Sequence, residues 1–160
     1  MRMFLVFVLG FIVGAVGLGM AVVSKASTVM VQEHRSASSI ADTVARLKEV
    51  AEKDGWKFLG ERKLHESIKQ FAGIDVRPVH IVDLCQAAHA GKILAEDDAR
   101  RVSVFMPCTI AVYEKTDGGT YVAATNASLL GRAFGGVVAE VMGGPVAEAQ
   151  ERFIQAAIAK

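Results

Sequence analysis

Residues 3–23 contain no charged side chain, and Phe, Leu, Val, Ile, Gly and Ala dominate this run of 21. At 1.5 Å per residue a helix of that length is about 31 Å long, which matches a hydrocarbon core of about 30 Å. This run makes the first division of the chain: residues 1–26 are a transmembrane anchor with a short linker, and residues 27–160 are one domain. The competing reading is a cleaved secretory signal. Its apolar region would be shorter, about 7 to 15 residues, and a small-x-small cleavage site would follow. Ser24-Lys25-Ala26 fits such a site poorly, because a lysine stands in its middle. Arg2 and the free amine favour a cytoplasmic N-terminus, while Lys25 and Arg35 pull the other way and Glu33 counts for little. The expectation is a single-pass protein of a bacterial inner membrane, with its domain on the periplasmic side. Residues 24–27 are the only linker, so the domain sits close to the bilayer. Gly10 and Gly14 form a G-x-x-x-G face, extended by Gly17, on which two such helices can approach closely. Glycine is common in membrane helices, so a plain anchor is the simpler reading of that face.

Outside the apolar run the chain is balanced. With Arg2 set aside, 17 basic residues stand against 17 acidic ones and no basic stripe appears, which argues against a nucleic-acid partner. A domain of about 135 residues can bury roughly two-thirds of its unfolded surface and needs neither disulfide nor metal to fold. Two cysteines are too few for a disulfide scaffold, so Cys85 and Cys108 matter individually if they matter at all.

The patterning of the domain alternates between strand and helix. Residues 28–33 (TVMVQE) alternate as a short strand. Ser39 and Asp42 resemble a capping box, and Ile40, Val44, Leu47 and Ala51 follow at helical spacing up to Asp54-Gly55. Trp56, Phe58 and Gly60 share one face of a second strand, and residues 61–71 read as a short polar helix. Residues 76–84 form a third strand, residues 85–94 an alanine-rich helix, and residues 102–106 an extended stretch broken at Pro107. Thr116-Asp117-Gly118-Gly119 between two alternating runs is a hairpin signal, since glycine accepts the positive φ of such turns. A helix over 128–134 closes at Gly135-Gly136, and residues 137–142 continue helically to Gly143-Gly144. The last helix starts at Pro145 and carries Val146, Ala149, Phe153, Ile154 and Ile158 on one stripe. The class is α+β: a mixed or antiparallel sheet with helices packed on one face, preceded by the membrane helix.

The stretch FMPCTIAVYEKTDGG, residues 105–119, resembles the signature of the domain of unknown function 302 family. Asn126-Ala-Ser-Leu-Leu-Gly-Arg-Ala-Phe-Gly-Gly136 and Ala139-Glu-Val-Met142 resemble one branch of it. In that branch a cysteine also follows the strand matched by residues 79–84, and Cys85 fills that place. The similarity covers nearly the whole chain after Ser27. It implies a compact α+β fold, often behind a signal or anchor segment, with a homodimer among the arrangements to expect. It implies no established reaction and leaves the cofactor unknown. Gln86-Ala87 departs from the small polar residue and proline common in the family, which puts the turn after Cys85 in doubt.

Chemistry has few places to reside. If Cys85 opens a helix, the helix N-terminus lowers its thiol pKa, and His89 lies one turn on. Cys85, His89 and Cys108 would then offer three soft or borderline metal ligands, with His80, His65 or Met106 as a fourth, a set suited to zinc or copper(I). The spacings of zinc fingers, thioredoxins and c-type haem sites are absent. Two inert, buried thiols are the alternative. Glu114 beside Tyr113, and Asp97-Asp98 before Arg100-Arg101, read as solvated charges. No G-x-S-x-G, H-E-x-x-H or paired carboxylates support a hydrolase. Three functions stay open. The first is a membrane-tethered accessory domain that holds a metal, cofactor or sulfur species near Cys85 and Cys108. The second is a thiol–disulfide redox protein in which Cys85 attacks and Cys108 resolves. The third is a structural homodimer that pairs through the glycine face or residues 134–138.

Overall fold

The computed structural model describes residues 28–159. The expected membrane span over 3–23 and its Gly10–Gly14 face lie outside the described residues. No helix among the described residues is long and apolar enough to cross a membrane.

In chain order the elements are β1 (Val31–Ser36), α1 (Ile40–Lys53), β2 (Lys57–Lys63), α2 (Leu64–Ala72), β3 (Val79–Cys85) and α3 (Ala87–Leu94). A 3-10 stretch (Asp97–Phe105) leads to β4 (Cys108–Glu114) and β5 (Thr120–Thr125). The chain ends with α4 (Ala127–Phe134), α5 (Gly136–Val141), a π turn (Met142–Val146) and α6 (Ala147–Ile158). The five strands form one sheet in the order β1-β5-β4-β3-β2, with every neighbouring pair antiparallel.

Side-chain alternation decides which face of the sheet meets the core. Val82 pairs with Ile110, which pairs with Ala124, and all three are buried. Leu84, Val112 and Val122 extend the same apolar surface, while Ile81, Ala111 and Tyr113 on the alternate positions are only half-buried. Helices α1 and α6 close the core with Leu47, Ala51, Phe153, Ile154 and Ala157. Thr43 is polar and fully buried, so its hydroxyl must be satisfied inside. It donates to the Ser39 carbonyl at 2.7 Å and meets Ser36 Oγ at 2.8 Å.

The helix over 40–53 begins as its residues predict: Ser39 Oγ accepts from Asp42 N–H at 3.2 Å and lies 2.7 Å from Asp42 Oδ2. The hairpin turn also forms as predicted, with Gly118 at φ 71°.

Four expectations need correction. The first strand spans Val31–Ser36 rather than 28–33, because its register to β5 runs from Val31↔Thr125 to Ser36↔Thr120. Of residues 102–106 only Met106 is extended, and 102–105 lie in the 3-10 stretch. Buried Ala99 and Val102 recur three apart, the period of a 3-10 turn. The polar helix starts at Leu64 rather than 61, since residues 61–63 pair with β3. Cys85 does not open a helix. It pairs with Lys57 as the last residue of β3, and Gln86 caps α3 by accepting from Ala88 N–H at 3.2 Å.

Candidate functional site

Two strand ends bring the cysteines together. Cys108 opens β4 opposite Leu84, the residue just before Cys85 at the end of β3. The segment leading into β4 passes through a cis Met106–Pro107 peptide and lays Met106 against the core. Helix α3 then returns over this sheet end with His89 in its first turn, and the His89 ring meets the buried Trp56 indole edge-on at 6.1 Å between centroids. Cys85, Cys108, Met106, His89 and Trp56 all line one narrow apolar cavity of about 40 Å³. A larger cleft of about 290 Å³ adjoins it, shares Phe105, Met106, Pro107, Cys108 and Met142 with it, and is walled further by Arg62, Thr109, Leu130 and Gln150.

The electrostatics of this sheet end favour neutral sulfur at Cys108. Burial pushes its thiol up to about 11, and nearby Cys85 adds to the shift because two neighbouring thiolates repel. Such a thiol is a weak nucleophile at neutral pH. Both cysteines are free thiols.

Beside the cleft, Arg62 holds Asp83 through two hydrogen bonds of 2.8 and 3.0 Å, and Thr109 Oγ1 donates to the same carboxylate at 3.1 Å. The Arg62 bond lowers the Asp83 pKa most, burial opposes it, and the Thr109 bond adds a further lowering. The charged wall of the larger cleft is thus a fixed pair.

The other expected ligands lie elsewhere. His80 sits four residues up β3 from Leu84, about 13 Å at the rise of a strand. Its Nδ1 meets the Glu61 carboxylate, its ring stacks on His65 at 5.3 Å, and His65 Nδ1 accepts from Val79 N–H at 3.2 Å. These two histidines brace the β2–β3 connection and do not reach the cysteines. Among the described residues no three His, Cys, Asp or Glu side chains stand together as a metal site. Cys85, His89 and Cys108 therefore share a cavity without forming a ready three-ligand set. Glu114 pairs with Arg77 at 2.8 Å and Asp97 with Arg100 at 3.1 Å, both on the surface.

Two contributors escaped the sequence reading. Trp56 reads there as one face of a strand, yet it precedes β2 and walls the cysteine cavity. Arg62 lies within a run of alternating charges, and only the register of β2 against β3 sets it beside Asp83.

Residues 32–160 match the pattern of a family described as domain of unknown function DUF302. The chain belongs to the DUF302 family. A crystal structure of an uncharacterised conserved DUF302 protein from Bacillus stearothermophilus has the same fold, with a TM-score of 0.70 at 19% identity. The likeness covers 80% of this chain and 98% of that one. No curated protein matches this chain as a relative.

Proposed function

We propose that this DUF302 protein is a membrane-tethered accessory domain of the bacterial envelope that holds a thiophilic ligand at the sheet end, between Cys85 and Cys108. The observation that carries the reading is the convergence of both cysteines and Met106 on one narrow apolar cavity. Two thiols and a thioether in a narrow apolar pocket suit a soft species better than a hard one. Zinc is a poorer fit, since structural zinc takes four ligands and, among the described residues, no three His, Cys, Asp or Glu side chains stand together as a metal site. Copper(I), which thiolate and thioether ligands select, is the metal of choice, and a bound persulfide sulfur is the non-metal counterpart. Binding copper would displace the Cys108 proton, so uptake becomes tighter as pH rises. The uncharged run over residues 3–23, with Arg2 and the free amine before it, supports placement at the periplasmic face.

The proximity of Cys85 to Cys108 favours one further reading, a disulfide formed and broken between them. Intact mass of the full chain, extracted from bacterial membranes without reductant or chelator, separates the two. A metal or sulfur adduct lost in both Cys85→Ser and Cys108→Ser supports the binding reading. A mass lower by about 2 Da, with no adduct, replaces it with the redox pair. Free thiols that also take up no copper(I) on anaerobic titration overturn both.

A further inference from the structure

We infer that the sheet end containing the larger cleft rests on the lipid surface, so that the cleft opens at the membrane interface. This inference rests on the reading of residues 3–23 as a membrane span.

The tether is short compared with the domain. Five Cα steps separate Val23 from Thr28, at most about 18 Å when fully extended. The headgroup layer takes up about 5 to 8 Å of that reach. A domain of this size is roughly 36 Å across, taking the sphere equivalent to its expected radius of gyration. The tether therefore keeps the end that receives the chain within reach of the bilayer and places no such limit on the far end.

The receiving end is well fixed. The Met30 carbonyl accepts from Asn126 N–H at 2.8 Å, Asn126 Nδ2 donates to the Val29 carbonyl at 3.0 Å, and Val31 pairs with Thr125. Thr125 lines the larger cleft, and Val104 and Phe105 line it too. Exposed apolar side chains gather at this end, Met30 56% exposed, Val104 77% and Phe105 43%, with Val29 and Val31 beside them, while Arg62, Thr109 and Thr125 supply exposed polar groups in the cleft. Exposed apolar side chains gathered at one rim mark an interaction surface. Here the position of the tether says which surface covers it.

A second apolar group, Phe71, Ile74 and Val76, is also exposed, but it belongs to the β2–β3 connection at the opposite end of the strands. The seven residues of β3, about 20 Å from first to last, separate it from the receiving end. It serves as the internal control.

The test uses the full chain in nanodiscs of phosphatidylcholine and phosphatidylglycerol, with the photo-crosslinking residue p-benzoylphenylalanine placed at Val104, at Met30 or at Phe71. All three positions are exposed, and the use of two sites at the rim guards against one misfolded variant. Lipid adducts at Val104 and Met30 should exceed those at Phe71 several-fold. Equal adducts at all three, with the chain retained through an alkaline wash, leave the span intact and overturn the docking. Release of the chain by that wash overturns the span, and the docking falls with it.

Discussion

Cys108 carries opposing demands: its strand pairing holds it in the ladder while its thiol is buried beside another thiol. Its pKa is raised from 9.0 to about 11, so above pH 9 the unfolded chain gives up a proton that the folded protein keeps. Stability contributed by the protonated thiol is complete below 9.0 and declines as pH rises towards about 11, by at most roughly 3 kcal/mol. Urea unfolding followed from pH 8 to 11 should show this loss in the wild type and a flatter profile in Cys108→Ala. Alkylation of Cys108 by iodoacetamide should be slow at pH 8 and accelerate through the same window. At this scale the sequence names the two cysteines, His89 and Met106, because rare, chemically distinct side chains stand out in any reading. It cannot name Trp56 or Arg62, whose roles depend on neighbours contributed by distant strands.

At the scale of elements, glycines with equal freedom in the sequence have opposite roles. Gly131 in α4 faces the backbone of the π turn: a Cβ there would lie 2.7 Å from Gly143 N. Gly91, within α3, has nothing within 4 Å of the same position. Gly131→Ala should cost about 1 to 3 kcal/mol through forced separation of α4 from the π turn. Gly91→Ala should stabilise by about 0.5 to 1 kcal/mol through helix propensity alone. Thermal or urea unfolding of the two variants checks both signs. Elements with local causes are legible in advance. Ser39 with Asp42 starts α1, and Asp117-Gly118 turns the β4–β5 hairpin. Where the cause is distant, reading fails: residues 102–105 have strand-like composition, but burial of Ala99 and Val102 draws them into a 3-10 turn. Likewise Cys85 reads as a helix start until its pairing with Lys57 is known.

For the whole molecule, alternation and amphipathic helices announce α+β, but the order β1-β5-β4-β3-β2 is set by pairings that span most of the chain and leave no local trace. The core that results ties the candidate site to the last helix. Phe153 of α6 is 1% exposed and packs edge-on against Trp56 at 5.5 Å, the same indole that walls the cysteine cavity. Phe153→Ala should cost about 3 to 5 kcal/mol. In the wild type, Trp56 fluorescence and far-UV circular dichroism should give coincident urea transitions, because one core serves both. Separate transitions would show that the sheet end unfolds by itself.

The pairing of β1 with β5 also sets the timing of biosynthesis. Val31 meets Thr125, a partner 94 positions later in the chain. At about 5 to 20 residues per second, β1 leaves the ribosome roughly 5 to 20 s before its neighbour exists. During that interval its backbone N–H and C=O groups have no strand to pair with, although β2, β3 and β4, on which α1 packs, have already been made. The growing polypeptide therefore carries β1 as an unattached segment until β5 has been made, a state that would suit the export its proposed envelope location requires.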